Sequence, residues 1–174
     1  MTRWWPSRCH SYDGTVQPCT PGEGSNHACS ILSVTLLSMD TIRNAYDEVY
    51  AYTMGRPGVI LQHVVDAFAV QSANESGKPI GVVFGLVGLY LHVEKQFSGL
   101  QVQQVHMKLG RSRRQWPSVC LPEDRGRITV VDVLAASAGP ERDRAIDDWC
   151  KSLWTSFSVN RQTIITLLRE YEIN

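Results

Sequence analysis

The chain has no surplus of charge of either sign: 17 Lys plus Arg face 17 Asp plus Glu, a formal net charge of zero. A protein that mainly neutralises phosphates over a wide surface carries a basic excess, so no nucleic-acid partner is expected. Long apolar runs are also missing. The most apolar stretch, Ile80 to Leu91, falls short of the ~20 residues that span a bilayer, and Lys78 and Glu94–Lys95 flank it. No apolar segment follows Met1 to Pro6, so neither a signal peptide nor a membrane partner is expected. Cysteine is odd in number, with 5 in all, which without an export signal favours reduced thiols in a cytoplasm. There is no Gly-rich phosphate loop, no Gly-x-Ser-x-Gly elbow and no His-Glu-x-x-His pair.

What is present is an ordinary globular composition, with 43% hydrophobic and 20% charged residues in 174. A chain of this length buries a core without disulfides or metals. Residues 1–30 differ from the remainder. They hold Cys9, His10, Cys19, His27 and Cys29 among turn formers such as Pro18, Pro21, Gly22 and Gly24, and read as a loop-rich arm. Residues 31–174 read as a mostly α, irregular helical bundle of five to seven helices. Asp40 caps a helix with Ile42, Tyr46, Val49 and Tyr50 on one stripe, ended by Gly55. Val59 to Gln71 repeats apolar residues at helical spacing. Pro79 opens a helix to about Phe97 that is apolar nearly all round, as befits the centre of a bundle. Its Gly81, Gly85 and Gly88 imply close approach by a helix or a ligand.

Leu100 to Leu109 forms a shorter helix, followed by a basic loop with Arg111, Arg113 and Arg114 near Lys108 and Trp116. That loop is either a solvated run or a grip for a phosphate or acidic partner. Thr129-Val-Val-Asp132 matches a capping box with Asp in place of Glu, although its β-branched residues also fit a strand. Gly139–Pro140 opens a last long helix with Ile146, Trp149, Leu153, Phe157, Ile164, Leu167 and Leu168 inside. Cys150 reads as helix packing.

Four segments in order resemble an uncharacterised bacterial family, domain of unknown function 5946. They are Asp66-Ala-Phe-Ala-Val-Gln71, the apolar run Val83 to Glu94, Ile128-Thr-Val-Val-Asp-Val133, and Trp149-Cys-Lys-Ser-Leu-Trp154. The resemblance implies a diverged member. Where the family pattern has His, this chain carries Leu61, Phe84 and Asn160, and Ser72–Ala73 replace a His-Pro. Three inward histidines on separate helices could hold a divalent metal, which this chain would then have lost. The family pattern's N-terminal Cys-x-x-Cys pair is not visible either. No established activity carries over.

Two groups of residues could carry chemistry. Cys9, Cys19, His27 and Cys29 could close a tetrahedral structural zinc site, although their spacing lacks the close Cys-x2–4-Cys pairs of common fingers. On the helices, His63 and Asp66 are placed to share a face, and a carboxylate beside an imidazole is a general-base arrangement. A Glu94 buried on the bundle would titrate near neutral pH and serve as an acid. Gln71, Tyr90, Phe68 and Trp154 would contact a substrate. The structural alternative gives each of these polar residues a bracing or surface role.

The leading expectation is a cofactor-independent enzyme of bacterial specialised metabolism. It would perform acid/base or shape-directed isomerisation, cyclisation, elimination or hydrolysis of an apolar substrate in a bundle pocket, with Asp66, Glu94 and His63 as catalytic residues. The alternatives are a protein-binding module with a zinc-stabilised arm, and a divalent-metal hydrolase drawing on His63, Asp66, His92, Glu94 or His106. A homo-oligomer is compatible with any of these.

Overall fold

The computed structural model describes residues 39–56, 61–75, 77–112 and 115–173. The proposed zinc ligands Cys9, Cys19, His27 and Cys29, with His10, lie outside the described residues, as do Arg113 and Arg114 of the basic loop. The described residues form seven α-helices and no strand. These are α1 (Met39–Met54), α2 (Leu61–Gln71), α3 (Pro79–Val93), α4 (Gly99–Ser112), α5 (Val130–Ala135), α6 (Pro140–Ser156) and α7 (Arg161–Arg169), with a 3-10 turn at Ser158–Asn160 before α7. No helix among them is long and apolar enough to cross a membrane.

Helix α3 is the centre. Val83, Leu86, Val87 and Leu89 are fully enclosed, and α2, α4, α6 and α7 all pack on it. Its closest neighbour is α2, and glycine is the reason. A Cβ on Gly85 would sit 2.7 Å from Val70 Cγ2 and 2.8 Å from the Asp66 carbonyl oxygen, and one on Gly88 would overlap the Asp66 carboxyl group. Gly81 meets nothing, so the expected close approach uses two of the three glycines. Around this pair, α6 contributes Ile146, Trp149, Cys150 and Leu153 to the core, and α7 contributes Ile164, Leu167 and Leu168. Each such side chain stabilises the fold by roughly 1.5–3 kcal/mol relative to exposure.

The strand alternative for 128–133 gives way to a helix. Thr129 and Asp132 form both halves of the capping box, and a cap of this kind satisfies donors that a strand would offer to a neighbour. Two boundaries need correction. Helix α3 stops at Val93 instead of running to Phe97, because Gln96 takes a left-handed backbone with φ 58. The single last helix breaks at residues 157–160. There the Asn160 side chain turns to the 116–122 segment, accepting from Cys120 N at 2.7 Å and donating to Cys120 O at 2.9 Å.

Candidate functional site

Helix α2 carries polar groups into the core on two sides. Asp66 is 3% exposed and His63 is 2% exposed. The two do not pair with each other as the spacing had implied. Asp66 Oδ1 accepts from Gln62 Nε2 at 2.8 Å, and the same amide nitrogen lies 3.4 Å from His106 Nδ1 on α4. The other oxygen, Oδ2, is buried without a partner among the described residues. Burial raises the Asp66 carboxyl well above the usual carboxylate range, only partly offset by Gln62. Burial likewise holds His106 down to about 4, against the opposing pull of the Phe84 carbonyl. This cluster opens into none of the cavities described below, and it braces α2, α3 and α4.

His63 faces the other way. Its ring stacks on that of His92, with centroids 3.7 Å apart and planes 23° from parallel. His92 stands in the last turn of α3, and its Nε2 lies 3.0 Å from Asp147 Oδ1 in the middle of α6. A carboxylate oxygen only accepts, so in the neutral imidazole this contact calls for the proton on Nε2 and the lone pair on Nδ1. The hydrogen bond from His92 holds Asp147 below the usual carboxylate range. Burial, with His92 adding to it, pushes His63 down to about 4, so a neutral ring lies against His92.

These three side chains line an open cavity of about 340 Å³ with Gln96, Phe97, Ser98 and Gln101. Local sequence builds its rim. The turn after α3 is closed by bonds from Phe97 N to Leu91 O at 2.9 Å and from Gln96 N to His92 O at 3.1 Å, the latter the 5→1 bond of an αL cap with Gln96 as its left-handed residue. Ser98 then caps α4. Gln101 Oε1 accepts from Ser98 N at 2.8 Å and from Ser98 Oγ at 2.9 Å, a Ser-x-x-Gln capping box. That box was legible as Ser98-Gly-Leu-Gln101. Nothing in sequence could pair His92 with Asp147, which lie on different helices 55 positions apart.

The other anticipated site residues lie elsewhere. Glu94 is at the surface, not in the core. Arg161 grips both of its oxygens at 2.6–3.1 Å, and Trp154 Nε1 donates to Oε1 at 2.9 Å. Arg161 first, then Trp154, holds the Glu94 carboxyl below the usual range, the reverse of the raised acid expected of a buried Glu. Tyr90 meets Trp154 with ring centroids 5.8 Å apart, so Tyr90, Glu94 and Trp154 do come together, as a clasp between α3, α6 and the start of α7. Phe68 stacks on Tyr46 at 3.9 Å. Gln71 accepts from Val130 N at 3.2 Å and anchors α5. Among the described residues, no three or more His, Cys, Asp or Glu side chains are grouped to hold a metal ion.

The family model described as "Family of unknown function (DUF5946)" matches residues 43–158, which takes in α2, α3, α6 and hence His63, His92 and Asp147. This chain belongs to the DUF5946 family. No curated protein and no solved structure matches it. Of the three positions where the resemblance implied a lost histidine, Leu61 opens α2 and Asn160 makes the Cys120 clasp. Phe84 packs edge-on to His106 and tilted against Trp116, each at 4.9 Å between centroids.

Proposed function

We propose that this protein is a small-molecule enzyme that moves a proton with the Asp147–His92 pair, in the cavity at the C-terminal end of α3. The observation that supports it is the 3.0 Å His92–Asp147 contact on the wall of a cavity of about 340 Å³, a volume within the usual range for ligand sites. An orienting carboxylate selects the tautomer of an imidazole and holds its ring in place for proton transfer. His92 Nδ1 takes a proton from a carbon next to a carbonyl group, and the C–H electron pair moves into the carbonyl as an enolate. Gln101 has its Oε1 engaged by Ser98, so its Nε2 protons are the donors left for that oxygen. The proton then returns to another carbon, giving isomerisation, or the electron pair expels a leaving group, giving elimination. His63 backs the base with a neutral ring. Of the residues expected to be catalytic, His63 keeps a place in this reading, and Asp66 and Glu94 take bracing roles. A reaction of this kind is at home in bacterial specialised metabolism.

The test is hydrogen exchange. The protein is incubated in D2O with a panel of small ketones, aldehydes and keto acids, and loss of each α-proton signal is followed by NMR. Exchange by the wild type is expected on a subset of them. It should fall by about 10²–10⁴-fold in His92→Gln and Asp147→Asn, the usual worth of a positioned general base. Exchange that persists in both variants, or none with any compound, overturns the proposal.

A further inference from the structure

Gln96 is an unusual residue for its place. Its φ of 58 puts it in the left-handed region, at the position of an αL helix cap where glycine is the common choice because a Cβ strains the backbone there. Strained backbone of this kind clusters at ligand and active sites. The side chain lines the cavity. Its Nε2 donates to Val93 O at 2.9 Å and to His92 O at 3.4 Å, which fixes the amide orientation and leaves Oε1 as a free acceptor.

The hydrogen-bonding capacity left on the cavity wall is lopsided. Asp147 gives one oxygen to His92 and keeps the other. Gln96 contributes its carbonyl oxygen. Gln101 offers the one amide donor pair. No Lys or Arg lines the space. A carboxylate or phosphate placed here would face Asp147 with no cationic side chain on the wall to meet it, whereas an ammonium would meet an anion and a carbonyl acceptor together, with the Phe97 ring beside it.

We infer that the cavity recognises a protonated primary amine, held by Asp147 and the side-chain carbonyl of Gln96, on a molecule whose carbonyl oxygen turns to Gln101. The inference rests on the site assignment made above and names the ligand class for it. Gln96 is then a specificity residue, and its strained backbone is retained for that contact.

The experiment uses the full chain, 15N-labelled, titrated with three probes of matched size: benzylamine, benzyl alcohol and benzoate. Benzylamine should shift the Gln96 and Gln101 side-chain amide signals and the His92 ring nitrogens, and bind at least tenfold tighter than benzoate. Asp147→Asn and Gln96→Gly should each weaken benzylamine at least tenfold and leave benzyl alcohol within twofold. Gln96→Gly should do so with its Tm unchanged or raised, since glycine suits this backbone; a residue kept only for structure would not part binding from stability in that direction. Benzoate binding as tight as benzylamine, benzylamine affinity unaltered in the variants, or no saturable shift with any probe overturns the inference. Amine selectivity without deuterium exchange leaves it standing and removes the catalytic reading; exchange without amine selectivity does the reverse.

Discussion

Asp66 shows what burial does to a single carboxyl group. Its proton is retained in the folded state far above the value of 3.8 expected of an exposed Asp. A group whose folded pKa is raised gives stability that is complete below the unfolded value and is lost as pH rises through the folded value. The wild type should therefore lose stability relative to Asp66→Asn as pH climbs above 3.8. Urea unfolding of both proteins across that range checks this, and a difference that stays flat would mean Asp66 is ionised throughout. The space around the same carboxyl group makes a second test. Gly88→Ala puts a methyl group into it and should cost on the order of 1–3 kcal/mol, as overpacked cores do. Wild-type stability in that variant would show that Asp66 can swing aside.

Short elements depend on their ends. Helix α5 has six residues, too few to stand on hydrogen bonding alone. Thr129 and Asp132 close its start, Gln71 takes the Val130 amide, and Arg142 reaches the carbonyls of Leu134 at 3.0 Å and Ala136 at 2.8 Å. Thr129→Ala should lower stability by about 1 kcal/mol, the usual effect of removing such a cap, measured by thermal melting against Thr129→Ser. Equal melting temperatures for the two variants would show that Gln71 and Arg142 hold α5 without the cap. The same logic explains the broken C-terminal helix. Thr155, Ser156, Ser158 and Asn160 carry side chains that compete for backbone groups, and Asn160 is used to hold a loop. Its apolar period runs on through the break, so periodicity alone reads one helix where there are two.

Across the molecule, α2 packs on α3 and is tied by a polar contact to α4 on one side and faces α6 on the other, and the two depressed imidazoles, His63 of α2 and His106 of α4, set the response to acid. His63 and His106 are each held near 4 in the folded state against an ordinary value of 6.5. A His whose folded pKa is depressed gives stability that is present above the unfolded value and is lost as pH falls towards the folded one. The urea midpoint should drop as pH falls from 6.5 towards about 4, and the drop should shrink in His106→Gln. An unchanged profile in that variant would place the titration elsewhere. The Asn160 clasp acts at similar range. Asn160→Ala removes the two side-chain bonds to the Cys120 amide and carbonyl and should cost about 1–3 kcal/mol, with faster proteolysis in the 116–122 segment as the readout.

Much of this protein follows from local sequence. Pro79, the Thr129–Asp132 box, Gly139–Pro140 and the 3.6-residue spacing of Val, Leu and Ile specify helices, because capping and amphipathic burial act over a few neighbouring residues. The wholly apolar face of Val82 to Leu91 likewise marks the central helix before any contact is known. Three-dimensional packing alone decided which polar residues meet. His63 and Asp66 are three apart and turn to different neighbours, since the glycines of α3 draw Asp66 inward while His63 lies over His92. Glu94 leaves the core because Arg161, a distant residue, compensates its charge better there than any apolar wall could. The Asp147–His92 pair has no sequence signature for the same reason: a hydrogen bond between two helices depends on how they cross, and that is set by the packing of the whole core.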